Sequence, residues 1–215
     1  MILGTREKTK LCLKINEKYC NSTQTVILLG IEIDWKLTFN QHTTNITNTA
    51  RNKTRSLARL RYKLETSQKI VLYNSYILSV FGYCPVIWMF CGKSLNEVIE
   101  RVQRNALRIV YNDYTSDFKT LLNHGNHLRI HEINKRRLIT EVYKCLNGLN
   151  PIFLNDLFTK KTINYNLRTS NLLNLKKTRT ITYGLKSIVF RGSRIWNDLD
   201  FKLKIQQILK ILKIY

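Results

Sequence analysis

Leu28-Leu29-Gly30-Ile31-Glu32-Ile33-Asp34, followed by Leu37-Thr38-Phe39-Asn40-Gln41-His42, is where the chain changes its period. Before it, Leu11, Leu13 and Ile15 alternate with polar positions. Residues 26–33 then form a second apolar run, interrupted by Gly30. Both patterns predict extended strands, and Asn21-Ser22-Thr23 between them is turn material, so an antiparallel pair is expected over residues 10–34. After it, over residues 40–64, Ile46, Ala50, Leu57, Leu60 and Leu64 fall within about 80° at 100° per residue, while Arg51, Arg55 and Arg59 line the opposite side. One face packs and the other is cationic. The fold class read here is α+β: an N-terminal β-hairpin, a mostly helical bundle, and a small C-terminal hairpin and helix.

The helical part continues with Ser67 as the cap of a helix running to about Phe81, where Gly82 supplies a stop. Ser94-Leu95-Asn96-Glu97 reads as a capping box. The helix it opens carries Leu95, Val98, Val102, Ala106 and Ile109 on one side and Arg101, Arg104 and Arg108 on another. A further helix is expected over 131–146, with Lys135, Arg136 and Arg137 in its first half and Gly148 and Pro151 at its end. Residues 165–175 read as irregular and 180–191 as a hairpin around Gly184. Ser193 to Leu199 reads as a helical turn anchored by Trp196, and 201–215 as a basic terminal helix.

Residues 70–90 carry no charge and are long enough for a bilayer core. Asn74, Ser75, Ser79, Gly82, Pro85 and the tyrosines 73, 76 and 83 argue instead for a buried helix followed by an extended piece, with no membrane partner.

The 215 residues are 44% hydrophobic, which excludes a disordered tail. Against 14 acidic residues stand 36 lysines and arginines, a formal charge of +22. Such an excess implies polyanionic partners, nucleic acid first and an acidic membrane surface second. The five cysteines are odd in number and form no Cys-x-x-Cys pair. With no secretory signal pattern they read as reduced thiols of an intracellular protein, cytoplasmic or nuclear. His124, His127 and His131 suggest zinc only weakly, since a structural site wants four ligands in defined pairs, and no metal site is assigned. Glu32 and Asp34 share a strand face, a metal pair or, more commonly, a solvated edge.

No Gly-rich phosphate loop, nucleophile elbow or His-Glu-x-x-His helix is present. What remains is a cationic helical surface. Arginines three and four apart can follow a phosphate backbone, because each guanidinium donates paired hydrogen bonds to phosphate oxygens and displaces counterions. Arg51, Arg55, Arg59, Arg101, Arg104 and Arg108 are the candidate nucleic-acid contacts. Tyr62, Tyr73 and Tyr76 are either stacking partners for bases or core.

A longer order of motifs adds to this reading. After the opening pair come Leu72-Tyr73-Asn74-Ser75-Tyr76-Ile77-Leu78 and Phe81-Gly82-Tyr83-Cys84-Pro85-Val86-Ile87-Trp88, then Asn105-Ala106-Leu107-Arg108-Ile109-Val110-Tyr111, Ile130-His131-Glu132, Gly148-Leu149-Asn150-Pro151, and Ile195-Trp196-Asn197. This order resembles the region just after the polymerase active site in reverse transcriptases of non-LTR retrotransposons, the jockey-like mobile elements. The resemblance implies that residues 1–40 are the palm-end strand pair of the primer grip, 41–115 a thumb-like helical domain, and 116–215 a carboxy-terminal extension. It further implies RNA or an RNA–DNA duplex as partner, together with upstream polymerase domains outside this chain. Magnesium belongs to the complete family enzyme, with no cofactor in this chain.

The chemistry of that family needs carboxylates holding two metals about 3.5–4 Å apart, and no Asp-Asp pair exists here. Tyr111-Asn112-Asp113-Tyr114 reads as a helix C-terminal turn. No catalytic residue is assigned, and the expectation is a fragment of an RNA-directed DNA polymerase, inactive alone. The alternatives are a mis-bounded piece of an active enzyme and a non-catalytic basic interaction module. Departures from the family pattern are Thr43, Thr47 and Thr54 on the packing stripe, Asp200 in place of proline, and the lack of a closing Cys-x-x-Cys segment. Hydroxyls on that stripe cost about 1–3 kcal/mol each if left unsatisfied.

Overall fold

The computed structural model describes residues 12–161 and 172–199. The terminal helix expected over 201–215, Asp200, and the irregular stretch over 165–171 lie outside the described residues. The architecture is α+β, with two small antiparallel hairpins followed by mostly helical structure. The chain divides after Ile133 into two compact units.

The first unit opens with β1 (Cys12–Ile15) paired to β2 (Lys18–Asn21), then β3 (Thr25–Leu28) paired to β4 (Ile31–Asp34). This corrects the single pair expected to turn at Asn21-Ser22-Thr23. The run that reads as one strand, 26–33, folds back on itself, with Leu28 opposite Ile31. Two-residue hairpin loops of the favoured type need positive φ at both central positions. Leu29 sits at φ 48° and Gly30 at φ 78°. Gly30 supplies half of that geometry without strain, and the Tyr83 hydroxyl fastens the turn by donating to the Leu29 carbonyl.

Asp34 turns the chain from strand to helix. Its carboxylate accepts from the Thr38 amide and hydroxyl, at 3.0 and 2.9 Å, and from the Phe39 amide at 2.7 Å. Burial by itself would raise this carboxyl, but the hydrogen bonds from Thr38 and Phe39 outweigh it and hold it below its usual range.

Helix α1 (Asn40–Leu60) buries Thr43, Thr47, Ala50, Thr54 and Leu57, alternately four and three apart. The three threonines carry no unsatisfied hydroxyl. Each donates to the carbonyl four residues back, Thr43 to Phe39 at 2.8 Å, Thr47 to Thr43 at 2.6 Å and Thr54 to Ala50 at 2.8 Å. The desolvation penalty anticipated for this stripe is therefore not incurred. Leu60, expected on the packing side, is exposed, because the buried seam ends at Leu57.

Helix α2 (Thr66–Leu72) takes Glu65, not Ser67, as its N-cap, with the Glu65 amide donating to the Gln68 side chain at 3.1 Å. It runs on through a π turn (Tyr73–Ile77) and a 3-10 turn ending at Gly82, the expected stop. The piece expected to be extended instead holds the short helix α3 (Pro85–Trp88), begun by proline at its first position. No helix of the described residues is long and apolar enough to cross a membrane.

Helix α4 (Lys93–Tyr111) starts from Gly92, so Ser94 lies inside the first turn and caps nothing. It ends where the sequence places a C-terminal turn, at Asn112 with φ 56°. Leu57 of α1, Tyr73 and Ile77, Ala106, Leu107 and Val110 of α4, and Leu121 and Leu122 of α5 (Phe118–His124) share one core cluster. Ala50, Phe81, Trp88, Ile99, Val102 and Ile130 form a second. Gln103 joins elements across the interior. Its amide nitrogen donates to the Tyr73 hydroxyl at 3.0 Å and the Leu128 carbonyl at 2.8 Å, and its oxygen accepts from the Ile130 amide at 3.0 Å.

Helix α6 (Ile130–Leu146) occurs where the sequence places it, and Gly148 at φ 68° follows its end. The second unit holds the rest of α6, α7 (Ile152–Asn155), an antiparallel bridge between Lys160 and Leu173, and α8 (Ile188–Asp198). The hairpin expected over 180–191 does not form. Ser187 caps α8 instead, its hydroxyl accepting from the Phe190 amide at 3.2 Å, and the residues around Gly184 make a π turn. Trp196 is buried as expected. Asn197 clamps Leu173 by bonding both its amide and its carbonyl, at 2.8 and 3.0 Å.

Candidate nucleic-acid interface

The small residues Ala50 and Ala106, both fully buried, mark where α1 and α4 pack side by side. Along that seam runs a groove of about 400 Å³. Arg51 and Arg55 line it from α1, Arg101, Asn105 and Arg108 from α4, and Arg61 and Tyr114 from the turns that follow the two helices. Thr54, Val102 and Ile109 are its buried lining. Four of the six arginines singled out in the sequence thus converge on one concavity.

Arg59 and Arg104 do not line it. A ladder of every fourth residue advances about 40° per step around a helix, so Arg59 has rotated about 80° from Arg51. Arg104 is turned about 60° from Arg101 and about 40° from Arg108 and lies over the Phe118 ring, its guanidinium carbon 5.3 Å from the ring centre. Arg129 approaches the same ring at 5.4 Å and pairs with Glu100 at 3.3 Å. Here arginine is packing material.

The groove arginines have a different environment. The described residues contain ion pairs at His124–Asp113, Arg129–Glu100 and Lys144–Glu141, and none of the five groove arginines takes part in them. Arg51 and Arg55 donate instead to neutral amides one turn back, Asn48 at 2.8 Å and Asn52 at 3.2 Å. These bonds hold the guanidinium groups without cancelling their charge. The Nε of Arg108 is buried with no hydrogen-bond partner. Five uncompensated cations on one concave surface sum to a positive potential that an anion with several oxygens would relieve.

At one end of the groove Arg61 donates to the hydroxyls of Tyr62, at 2.7 Å, and Tyr114, at 3.1 Å. Its guanidinium carbon also stands 4.5 Å and 6.0 Å from the centres of the two rings. Tyr114 is brought back toward α4 by the turn after Asn112. Asp113 stabilises that turn by accepting from the Thr115 and Ser116 amides and the Thr115 hydroxyl, at 3.0–3.1 Å. Hydrogen bonds from Ser116 and Thr115 pull the Asp113 carboxyl down to about 2.

Of the tyrosines proposed for stacking, Tyr62 is 78% exposed and Tyr76 half exposed beneath Lys53, whose ammonium is 4.3 Å from the ring centre. Tyr73 is core: 1% exposed, bonded to Gln103, its hydroxyl pushed up to about 12 by burial. Arg61, Asn105 and Tyr114 escaped the sequence reading because the wheel over 40–64 sets Arg61 nearer the apolar stripe than the arginine ladder, Tyr114 lies past a helix end, and Asn105 carries no charge.

The histidines do not gather into a metal site. His127 shares a 2.7 Å hydrogen bond with the Tyr111 hydroxyl and His124 lies 3.8 Å from Asp113. Glu32 accepts from Asn45 at 2.8 Å and Asp34 holds its loop, so the strand pair is committed to structure. Among the described residues no three His, Cys, Asp or Glu side chains come together to hold a metal ion, and they do not fit the two-metal chemistry of a polymerase. No family model, curated protein or solved structure matches the chain.

Proposed function

We propose that this chain is a nucleic-acid-gripping part of a non-LTR reverse transcriptase, thumb-like and without the carboxylates of polymerisation. The single observation that supports this reading is the groove between α1 and α4, with five arginines that have no acidic partner among the described residues. A basic helical face that is merely solvated spreads its charge outward. Here two helices and two turns aim guanidinium groups into one concavity, which suits a phosphate backbone. The ordered motifs point to the same region of the same machine, and the absence of an Asp-Asp pair assigns this chain binding and not catalysis.

The test is a salt series with labelled RNA and an RNA–DNA hybrid. About five phosphate contacts predict a log–log slope of about −3.5 for a single strand and −4.5 for a duplex. Binding that does not weaken between low and moderate salt, or no binding to either, contradicts the proposal.

A further inference from the structure

The geometry points to the Arg61–Tyr62–Tyr114 cluster as a stacking platform for an unpaired base, making the α1–α4 groove a single-strand site. This rests on the nucleic-acid reading above and deepens it by naming the form of nucleic acid the groove takes.

Three observations carry it. The first is size. At about 400 Å³ the groove falls in the range of small-molecule pockets, roughly 300–1,000 Å³. That is room for a nucleotide or two, whereas a duplex is a convex cylinder with its bases turned inward. The second is the ordering of the aromatics. Exposed tyrosines are ordinarily mobile, but both hydroxyls accept from one guanidinium, so the rings are held before any ligand arrives. Pre-ordering lowers the entropy lost on binding. Tyr62 is 78% and Tyr114 49% exposed, leaving ring surface for a partner.

The third is the arrangement of chemistry along the groove. Guanidinium groups that take phosphate oxygens lead to Arg61 and Tyr114 at its end, with the Tyr62 ring beside Arg61. A polynucleotide offers the same sequence of groups only where its bases are unpaired, since a paired base has no free face. Because the hydroxyls accept from Arg61, their own hydrogens remain to donate to a phosphate or base oxygen. Every base has a π-face, so the site tolerates sequence and selects strandedness.

The experiment measures binding of the full chain, by anisotropy at one fixed salt, to oligothymidylate, to an abasic oligomer with the same number of phosphates, and to a duplex of the same length. Wild type is expected to bind oligothymidylate about tenfold or more tighter than the abasic chain, as one or two stacked bases supply. It is also expected to bind the single strand more tightly than the duplex. The double variant Tyr62→Leu/Tyr114→Leu is expected to abolish the preference for oligothymidylate over the abasic chain. Equal wild-type affinity for base-bearing and abasic chains overturns the platform while leaving the phosphate groove standing, and this arm needs no variant to fold. A preference for the duplex, or a base preference that survives in the double variant, also overturns it. Failure to bind any of the three overturns the nucleic-acid reading itself.

Discussion

Arg101 and Arg108 line the groove, and Arg104, between them on the same helix, does not. The two environments use one side chain for different ends. On the Phe118 side, Arg104 and Arg129 lie over a buried ring and Arg129 is paired with Glu100. There both guanidinium groups cover apolar surface, and Glu100 answers the charge of Arg129, while the Nε of Arg104, like that of Arg108, is buried with no hydrogen-bond partner among the described residues. On the groove side, among the described residues, five arginines have amide or tyrosine partners, or none, and no carboxylate. Charge by itself therefore does not mark a binding residue. What sets the groove side apart is charge held in place, left uncompensated among the described residues, and aimed into a concavity.

The sharpest way to break this comparison is to remove the ring from the structural side. Phe118→Ala empties a site that is 7% exposed and takes away the surface beneath both Arg104 and Arg129. It should cost about 3–5 kcal/mol in urea unfolding, while the folded fraction binds nucleic acid as before. Lost affinity with unchanged stability would reverse the assignment of the two sides.

Next in size is Gln103→Leu, which leaves the Ile130 amide and the Leu128 carbonyl without this partner in the interior. The expected cost is about 1–3 kcal/mol for each orphaned group, read as a lower urea midpoint. A neutral result would show that the packing of α4 against the Tyr73 and Ile130 segments does not depend on this amide.

Smaller still is a matched pair on one helix. Arg108→Gln should weaken binding to RNA several-fold and reduce the salt slope by about one, with little change in melting. Arg104→Gln should lower the melting temperature by a few degrees, about 1 kcal/mol, and leave affinity alone. If both variants behave alike, the two sides of α4 are not distinct.

The smallest effect separates stability from binding by pH. Burial lowers the pKa of His42, against an opposing pull from Glu32, and burial lowers that of His127. The folded state thus holds both neutral, and the unfolded chain takes up the protons first as pH falls below about 6.5. Stability should decline from pH 7 toward 5, a window above the unfolded carboxylate value of 3.8 for Asp34 and Asp117. His42→Gln should flatten that decline in urea titrations. Affinity per folded molecule should stay level, since the arginines remain charged throughout.

Part of this was legible in the residues. The change of period near Asp34 placed the strand-to-helix switch, and Tyr111-Asn112-Asp113-Tyr114 announced a helix end. The arginine ladders located the groove's two walls. The parts that escaped have physical causes. Leu29 at positive φ leaves no pattern in an apolar run, so the fold-back was signalled by Gly30 alone. Gly92 and Glu65 are weaker cap signals than the serines beside them, and local backbone geometry chose them. The apolar alternation after Thr180 imitates a strand, yet Ser187 capping a helix prevailed. Arg104 was grouped with Arg101 and Arg108 because the wheel sets it only about 40–60° from them; what separates it is the Phe118 ring it lies over.

The most direct test of the central claim compares two charge removals at one moderate salt, by anisotropy with labelled single-stranded RNA. One variant replaces Arg51, Arg55, Arg101 and Arg108 with glutamine; the other replaces Lys135, Arg136 and Arg137, exposed positions of α6, in the same way. The account predicts that the groove variant loses about a hundredfold or more in affinity, about 2.7 kcal/mol, while the α6 variant changes by a few-fold at most. Equal losses per charge removed would mean that the protein binds through its overall charge and that the groove is not a site.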